Sequence, residues 1–263
     1  MERIDMEGVR GTVREAYGKI AVSDRPDCGC SPSCCGGGTT IASEDIAVGV
    51  GYSPDEVTSV PNGANMGLGC GNPQALASLR PGETVLDLGS GGGFDCFLAA
   101  QTVGPQGRVI GVDMTPEMVA KARRNAAKTE WEQVEFRLGE IEHLPVADAS
   151  VDVVISKCVI NLSPEKPKVF REVFRVLNPG GRIAIADMVA TTGIPEPLRH
   201  DVALYTGCMS GAATAAEIHD ALGHAGFEDI RIEPRNPSEG VSGSPRIEDY
   251  VISMYIQAVK PLR

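Results

Sequence analysis

Positive charge is scarce in this 263-residue chain, and so are histidine, tryptophan and long apolar runs. Lys and Arg number 24 against 35 Asp and Glu, a formal net charge of −11, and no basic run offsets it locally. A surface this acidic repels phosphate backbones and anionic lipid, so neither nucleic acid nor membrane is expected as a partner. No stretch approaches the ~20 apolar residues that a membrane-spanning helix requires. The opening MERIDMEGVRGTVREAYG mixes both charge signs around no apolar core, unlike a secretory signal, so a cytoplasmic location is expected. His143, His200, His219 and His224 are expected on surfaces, and Trp131 at a surface position near a helix end.

Cysteine, by contrast, is plentiful, with eight residues in a chain long enough to bury a full core. A disulfide scaffold belongs to small secreted proteins, and no CxxC pair or spaced histidine points to zinc. Eight thiols in a reducing compartment therefore point to redox or soft-ion chemistry. Four of them, Cys28, Cys30, Cys34 and Cys35, fall in SDRPDCGCSPSCCGGGTT (residues 23–40), whose composition reads as a mobile loop. It follows an amphipathic helix over residues 7–22, with Val9, Val13, Tyr17 and Ile20 on one stripe.

From residue 84 the pattern becomes regular. TVLDLG, RVIGVDM, VEFRLGE, VDVVISKCV and GRIAIADM read as strands, separated by helical runs, the second opening at Thr115-Pro116 as N-cap and first helical residue. Such alternation predicts an α/β fold with a mostly parallel sheet covered on both faces. FEDIRIEP and YVISMYIQAVK are two closing strands. We divide the chain into an N-terminal helix and Cys-rich segment (1–72), a central nucleoside-binding unit (73–190) and a C-terminal segment with the closing strands (191–263).

The turn Asp87-Leu-Gly89-Ser90-Gly91-Gly92-Gly93 joins the first strand to a helix. A GxGxG turn alone is as often plain packing as a ligand cradle. Asp113 at the end of the second strand adds a carboxylate that can accept both hydroxyls of a ribose. With no diphosphate spacing, the pocket suits a nucleoside carrying an amino acid. VLDLGSGGG, GVDMTPEM, LGEIEHLPVADASVDVVIS, LNPGGRIAIADM and ALGHAGFEDIRI together resemble class I S-adenosylmethionine-dependent methyltransferases. That resemblance implies a seven-stranded Rossmann-like sheet. It implies Asp113 on the ribose, Met114, Glu140 and Ile141 near the adenine, and Asp87, Gly89, Ser90 and Gly91 at the methionine part, with Ser156 beneath.

Ligands of open parallel sheets bind beyond the carboxyl ends of the strands. Cys158 in SKCVINL ends the fourth strand, Cys70 in GLGCGNP precedes the first, and Cys208 in YTGCMSGA follows the fifth. Three thiolates meeting there would suit a soft, thiophilic ion. A single cysteine is more often a small buried hydrophobe, and Cys96 in FDCFLAA is expected to be one. Lys157 and Asn161 flank the crevice. The three segments, with REAYGKIA, closely resemble arsenite methyltransferases.

This second resemblance implies Cys158 and Cys208 as ligands of trivalent arsenic, Cys70 as third ligand or relay thiol, and Cys34 or Cys35 as the remaining relay cysteine. It implies arsenite or trivalent methylarsenicals as substrates and thioredoxin or glutathione as thiol reductant. Some relatives carry an acidic residue before the last cysteine, where this chain has Gly207. No general base is required, because trivalent arsenic brings its own electron pair. Two other readings stay open: a methyltransferase of another small molecule, which leaves Cys70 and Cys208 unexplained, and a non-catalytic metalloid-binding protein. A monomer is expected.

Overall fold

A computed structural model describes residues 6–23, 42–235 and 247–263. The loop reading of residues 24–40, with Cys34 and Cys35, lies outside the described residues.

Among the described residues, seven strands form one sheet: β1 Thr84–Leu88, β2 Arg108–Asp113, β3 Val134–Leu138, β4 Val151–Lys157, β5 Leu177–Ala190, β6 Glu228–Pro234 and β7 Val251–Val259, in the order β3-β2-β1-β4-β5-β7-β6. β1 to β5 run parallel, and β7 is antiparallel to both β5 and β6. The helices are α1 Met6–Val22, α2 Ser43–Gly49, α3 Pro54–Thr58, α4 Gln74–Ala77, α5 Phe94–Val103, α6 Pro116–Ala126, α7 Lys166–Val176, α8 Glu196–Arg199, α9 Val202–Thr206 and α10 Ala215–Ala225.

Successive strand residues point to opposite faces, so a doubly covered sheet needs apolar residues on both. Along β1, Val85 packs with Phe97 of α5 and Val119 of α6, while Leu86 and Leu88 pack with Phe170 of α7 and Leu222 of α10. Both clusters are buried, which is why β1 and β4 are rich in apolar residues on both faces. α10 opens on a capping box between Thr214 and Glu217 and closes at Gly226 in the left-handed region.

Thr115 is the N-cap of α6 with Pro116 opening the helix, as expected; its side chain makes no capping bond, and Asp113 Oδ1 accepts from the Thr115 amide at 2.9 Å. Two local readings are corrected. The fifth strand begins before Gly181, at Leu177, which pairs with Val151, and residues 178–181 (NPGG) are absorbed as a bulge before Arg182 pairs with Val153. Trp131 is half-buried rather than a surface residue, because its indole covers Phe97 with ring centroids 5.7 Å apart. The four histidines are exposed as expected. No helix of the described residues is long and apolar enough to cross a membrane.

Candidate active site

The carboxyl ends of β1, β2, β4 and β5 open into one cavity of about 460 Å³, roofed by α1, residues 64–70 and residues 206–209. At one end lies the glycine turn. Gly89 has φ +67, and a Cβ there would come within 2.5 Å of Val159. Gly91, at φ +51, has open space where a Cβ would stand, so its backbone faces the cavity bare. Its amide donates to Asp113 Oδ2 at 3.0 Å. Burial raises the Asp113 carboxyl above its ordinary value, opposed by the amides of Thr115 and Gly91. Each of its oxygens keeps a further lone pair for a hydroxyl.

Met114, Ile141, Asp87, Gly89, Ser90 and Gly91 line the same cavity. Glu140 does not; its carboxylate pairs with Arg14 at 3.2 Å and Arg10 at 3.7 Å. Ser156 is fully buried beside Leu88 in the sheet and is not in the wall.

A charged network lies beside Asp87 at this end. Lys157 Nζ contacts Asp95 Oδ2 at 2.8 Å and donates to the Tyr52 hydroxyl at 3.2 Å, which in turn donates to Asp95 Oδ1 at 2.6 Å. The Cys96 thiol donates to Asp87 Oδ2 at 3.3 Å. Burial pushes Asp87 well above the usual carboxylate range, Asp95 pushes it further, and Lys157 opposes both. Two carboxyl groups thus face one ammonium.

The other end is sulfur. Cys70 and Cys158 are joined by a disulfide with Cα atoms 6.3 Å apart, and the Cys208 thiol donates to the Cys158 carbonyl at 2.6 Å. The three cysteines, distant in sequence, line the same cavity, with the sulfurs of Cys70 and Cys158 bonded and the Cys208 thiol turned to the Cys158 carbonyl. Each is held by a different element. The Cys158 amide continues the β4–β5 ladder by donating to Ala186 O at 2.9 Å. The Cys70 carbonyl accepts from Ser253 of β7 at 2.7 Å. Cys208 follows α9, its amide donating to Tyr205 O at 3.0 Å.

Cys158 and Cys208 have φ of +51 and +62, a region that costs a side-chain-bearing residue roughly 1–3 kcal/mol and persists only where its surroundings enforce it. Cys96, fully buried inside α5, faces none of this.

α1 spans both ends. Arg10 is buried among Glu165 at 2.7 Å, Glu142 at 3.2 Å and Glu140 at 3.7 Å. Tyr17, two turns on, donates to Thr206 O at 3.1 Å and lies 3.8 Å from Cys208 Sγ. The helix was legible from its periodicity; Arg10 was not, because an arginine off the apolar stripe reads as solvated. Asp95 and Asp187, buried acids inside apolar runs, were also missed. An aspartate where strand or helix otherwise excludes water was their signal.

The residues fit S-adenosylmethionine. The buried Ser90 hydroxyl in the wall has no partner among the described residues, and Asp113 offers ribose acceptors. A cation such as the ammonium or sulfonium of the cofactor's amino-acid half would favour the ionised form of Asp87, which burial and Asp95 otherwise oppose. Fold and cavity together define a class I methyltransferase, and a methyltransferase-domain family model matches residues 79–226. The chain is 53% identical to an arsenite methyltransferase of Halobacterium salinarum, over 98% of this chain and 68% of that protein. It therefore belongs to the arsenite methyltransferase family. An arsenite methyltransferase of Aquipseudomonas alcaligenes is 42% identical over 64% of the chain, and the chain matches 50% of that protein's length. The crystal structure of CrArsM, an arsenic(III) S-adenosylmethionine methyltransferase of Chlamydomonas reinhardtii, superposes with a TM-score of 0.61 at 29% identity, covering 85% of this chain and 74% of that one.

Proposed function

We propose that this protein methylates trivalent arsenic held on the thiolates of Cys158, Cys208 and Cys70, and that Cys70 and Cys158 then return to a disulfide. The observation that carries the reading is that these three cysteines line one end of a cavity whose other end fits S-adenosylmethionine. When bound, that cofactor supplies an electrophilic methyl group. Asp113, Gly91 and Ser90 would hold its nucleoside side, and Asp87 its amino-acid side, with Ser156 supporting the turn from within the sheet. Met114 and Ile141 would flank the base, and Glu140, outside the wall, would act only through its ion pairs with Arg14 and Arg10.

Arsenite exchanges three hydroxides for three thiolates; each thiol proton leaves with a hydroxide as water. With sulfur on three sides, the arsenic lone pair faces the remaining one, and the thiolates hold that side toward the cavity. Alignment of this kind contributes up to about 7–11 kcal/mol to a barrier. No side chain needs to remove a proton from the nucleophile. Methyl transfer releases S-adenosylhomocysteine and carries arsenic from the trivalent to the pentavalent state. Two As–S bonds to Cys70 and Cys158 then break as one S–S bond forms; arsenic recovers two electrons, and water supplies a hydroxide to the vacated position as its proton is released to solvent. Thioredoxin or glutathione reopens that disulfide by exchange, with Cys34 or Cys35 as intermediate thiol. The protein acts as a monomer in the cytoplasm.

The test is to incubate the reduced protein with S-adenosylmethionine, arsenite and a thiol, and speciate the arsenic. Methylarsenicals are expected, and Cys96→Ser should keep turnover within about twofold because its hydroxyl preserves the donor to Asp87. Cofactor binding without any methylarsenical would refute the reading.

A further inference from the structure

Cys158 and Cys208 stand on two separate turns, both in a backbone region cysteine does not favour, so something must fix the distance between them. We infer that Asn161 and Asp187 do this: they are positioning residues that set the Cys158–Cys208 separation and thereby the affinity for a trivalent ion bound by three thiolates. The inference rests on the proposed function above.

Asp187 lies on β5 one residue beyond Ala186, the register partner of Lys157, and is buried at the foot of the sulfur site. One of its carboxylate oxygens lies within 4.8 Å of the sulfurs of Cys70 and Cys158. Oδ2 accepts from the amide of Ile160 at 3.1 Å, two residues after Cys158; Oδ1 accepts from Asn161 Nδ2 at 2.9 Å and from its neighbour Met188 N at 2.8 Å. A rigid strand thus pins the turn that carries Cys158.

Asn161 passes the constraint across. Its Nδ2 also reaches Met188 O at 2.6 Å and Cys208 O at 3.2 Å. All three neighbours are acceptors, so the amide nitrogen must lie on this side, sharing its two protons among them. The backbone is just as close: a Cβ on Gly211 would collide with the Asn161 carbonyl. Asn161 is therefore clamped between the sheet and the Cys208 loop, in contact with both.

The clamp matters most once arsenic binds. Without arsenic, the Cys208 thiol is itself a tie, donating to Cys158 O. Ligation takes the thiol proton, and that bond is lost. Asn161 Nδ2 to Cys208 O stays, as does the Tyr205 hydroxyl to Leu162 O at 3.1 Å. Groups that orient metal ligands from behind typically contribute 10–100-fold in affinity. A plain structural cross-link would instead weaken everything the fold supports, the cofactor cavity included.

The experiment uses the full chain, reduced, as wild type, Asn161→Ala, Asn161→Ser and Asp187→Asn. Arsenite is titrated against the ultraviolet absorption of arsenic–thiolate bonds, and S-adenosylhomocysteine binding is measured in parallel. Asn161→Ala should bind arsenite about 10–100-fold more weakly and raise KM for arsenite more than it lowers kcat. S-adenosylhomocysteine affinity should stay within about twofold. Asn161→Ser keeps one donor and should recover part of the loss; it is the decisive variant should the alanine protein not fold. Asp187→Asn supplies one oxygen for three donors and should fall near Asn161→Ala. Unchanged arsenite affinity in Asn161→Ala, or parallel loss of both ligands, overturns the inference. Failure of the reduced wild type to bind arsenite overturns the proposed function, and this inference with it.

Discussion

The two ends of the cavity are built in opposite ways. The cofactor end is centred on one contiguous stretch, β1 through the start of α6, whose turn geometry is set by local glycines and one aspartate, with Ile141 and Lys157 added from beyond it. The sulfur end comes from three loops separated by 88 residues between Cys70 and Cys158 alone, with two cysteines held in a conformation they resist. A local motif makes a rigid, general nucleoside cradle. A site assembled from distant loops costs more to hold. α1 is the joint between them, with Arg10 at one end and Tyr17 at the other.

Four substitutions or conditions break or sharpen that contrast. The largest effect is expected for Cys158→Ser, which should lower arsenite methylation by on the order of 10³-fold, since alignment is what the thiolates contribute. S-adenosylhomocysteine binding, measured by calorimetry, should not follow. Arg10→Met attacks the joint. It leaves Glu142 buried without its cation, and chemical denaturation should show a loss of about 3 kcal/mol. Asp113→Ala attacks the cofactor end alone. A lost charge-assisted bond is worth about 1.5–3 kcal/mol, so cofactor affinity should drop by roughly 10–100-fold while arsenite binding holds.

The smallest effect is a pH slope. Burial lifts Asp187 from 3.8 to about 7, opposed by the Met188 amide and the Lys166 charge. The folded protein then holds a proton that the unfolded chain has released. The stability this carries is complete below about pH 4 and declines as the pH rises through the folded pKa. Melting temperatures of wild type should fall more steeply than those of Asp187→Asn between pH 4 and 7.

The same contrast governs what could be read before any coordinates. β1 to β5 were legible because strands covered by helices are rich in β-branched and apolar residues, and the glycine turn with Asp113 because its parts lie close together in sequence. The closing strands and the covered sheet followed. The cysteines were harder. Cys96 and Cys158 look alike as residues in apolar surroundings; only the position of Cys158 at a strand end, and its resemblance to a known segment, separates them.

Arg10, Asp95 and Asp187 stayed hidden because their partners lie far along the chain. Nothing in MEGVRGTV announces that Arg10 will meet Glu142 and Glu165, more than a hundred residues later. Trp131 misled for the converse reason: a lone indole at a helix end has no periodicity, so its packing on Phe97 leaves no trace in sequence.

X-ray absorption at the arsenic edge, on fully reduced protein with one equivalent of arsenite, counts the sulfurs directly. Three sulfur neighbours are expected, falling to two in Cys208→Ser. Arsenic surrounded by oxygen, or by a single sulfur, would contradict the account.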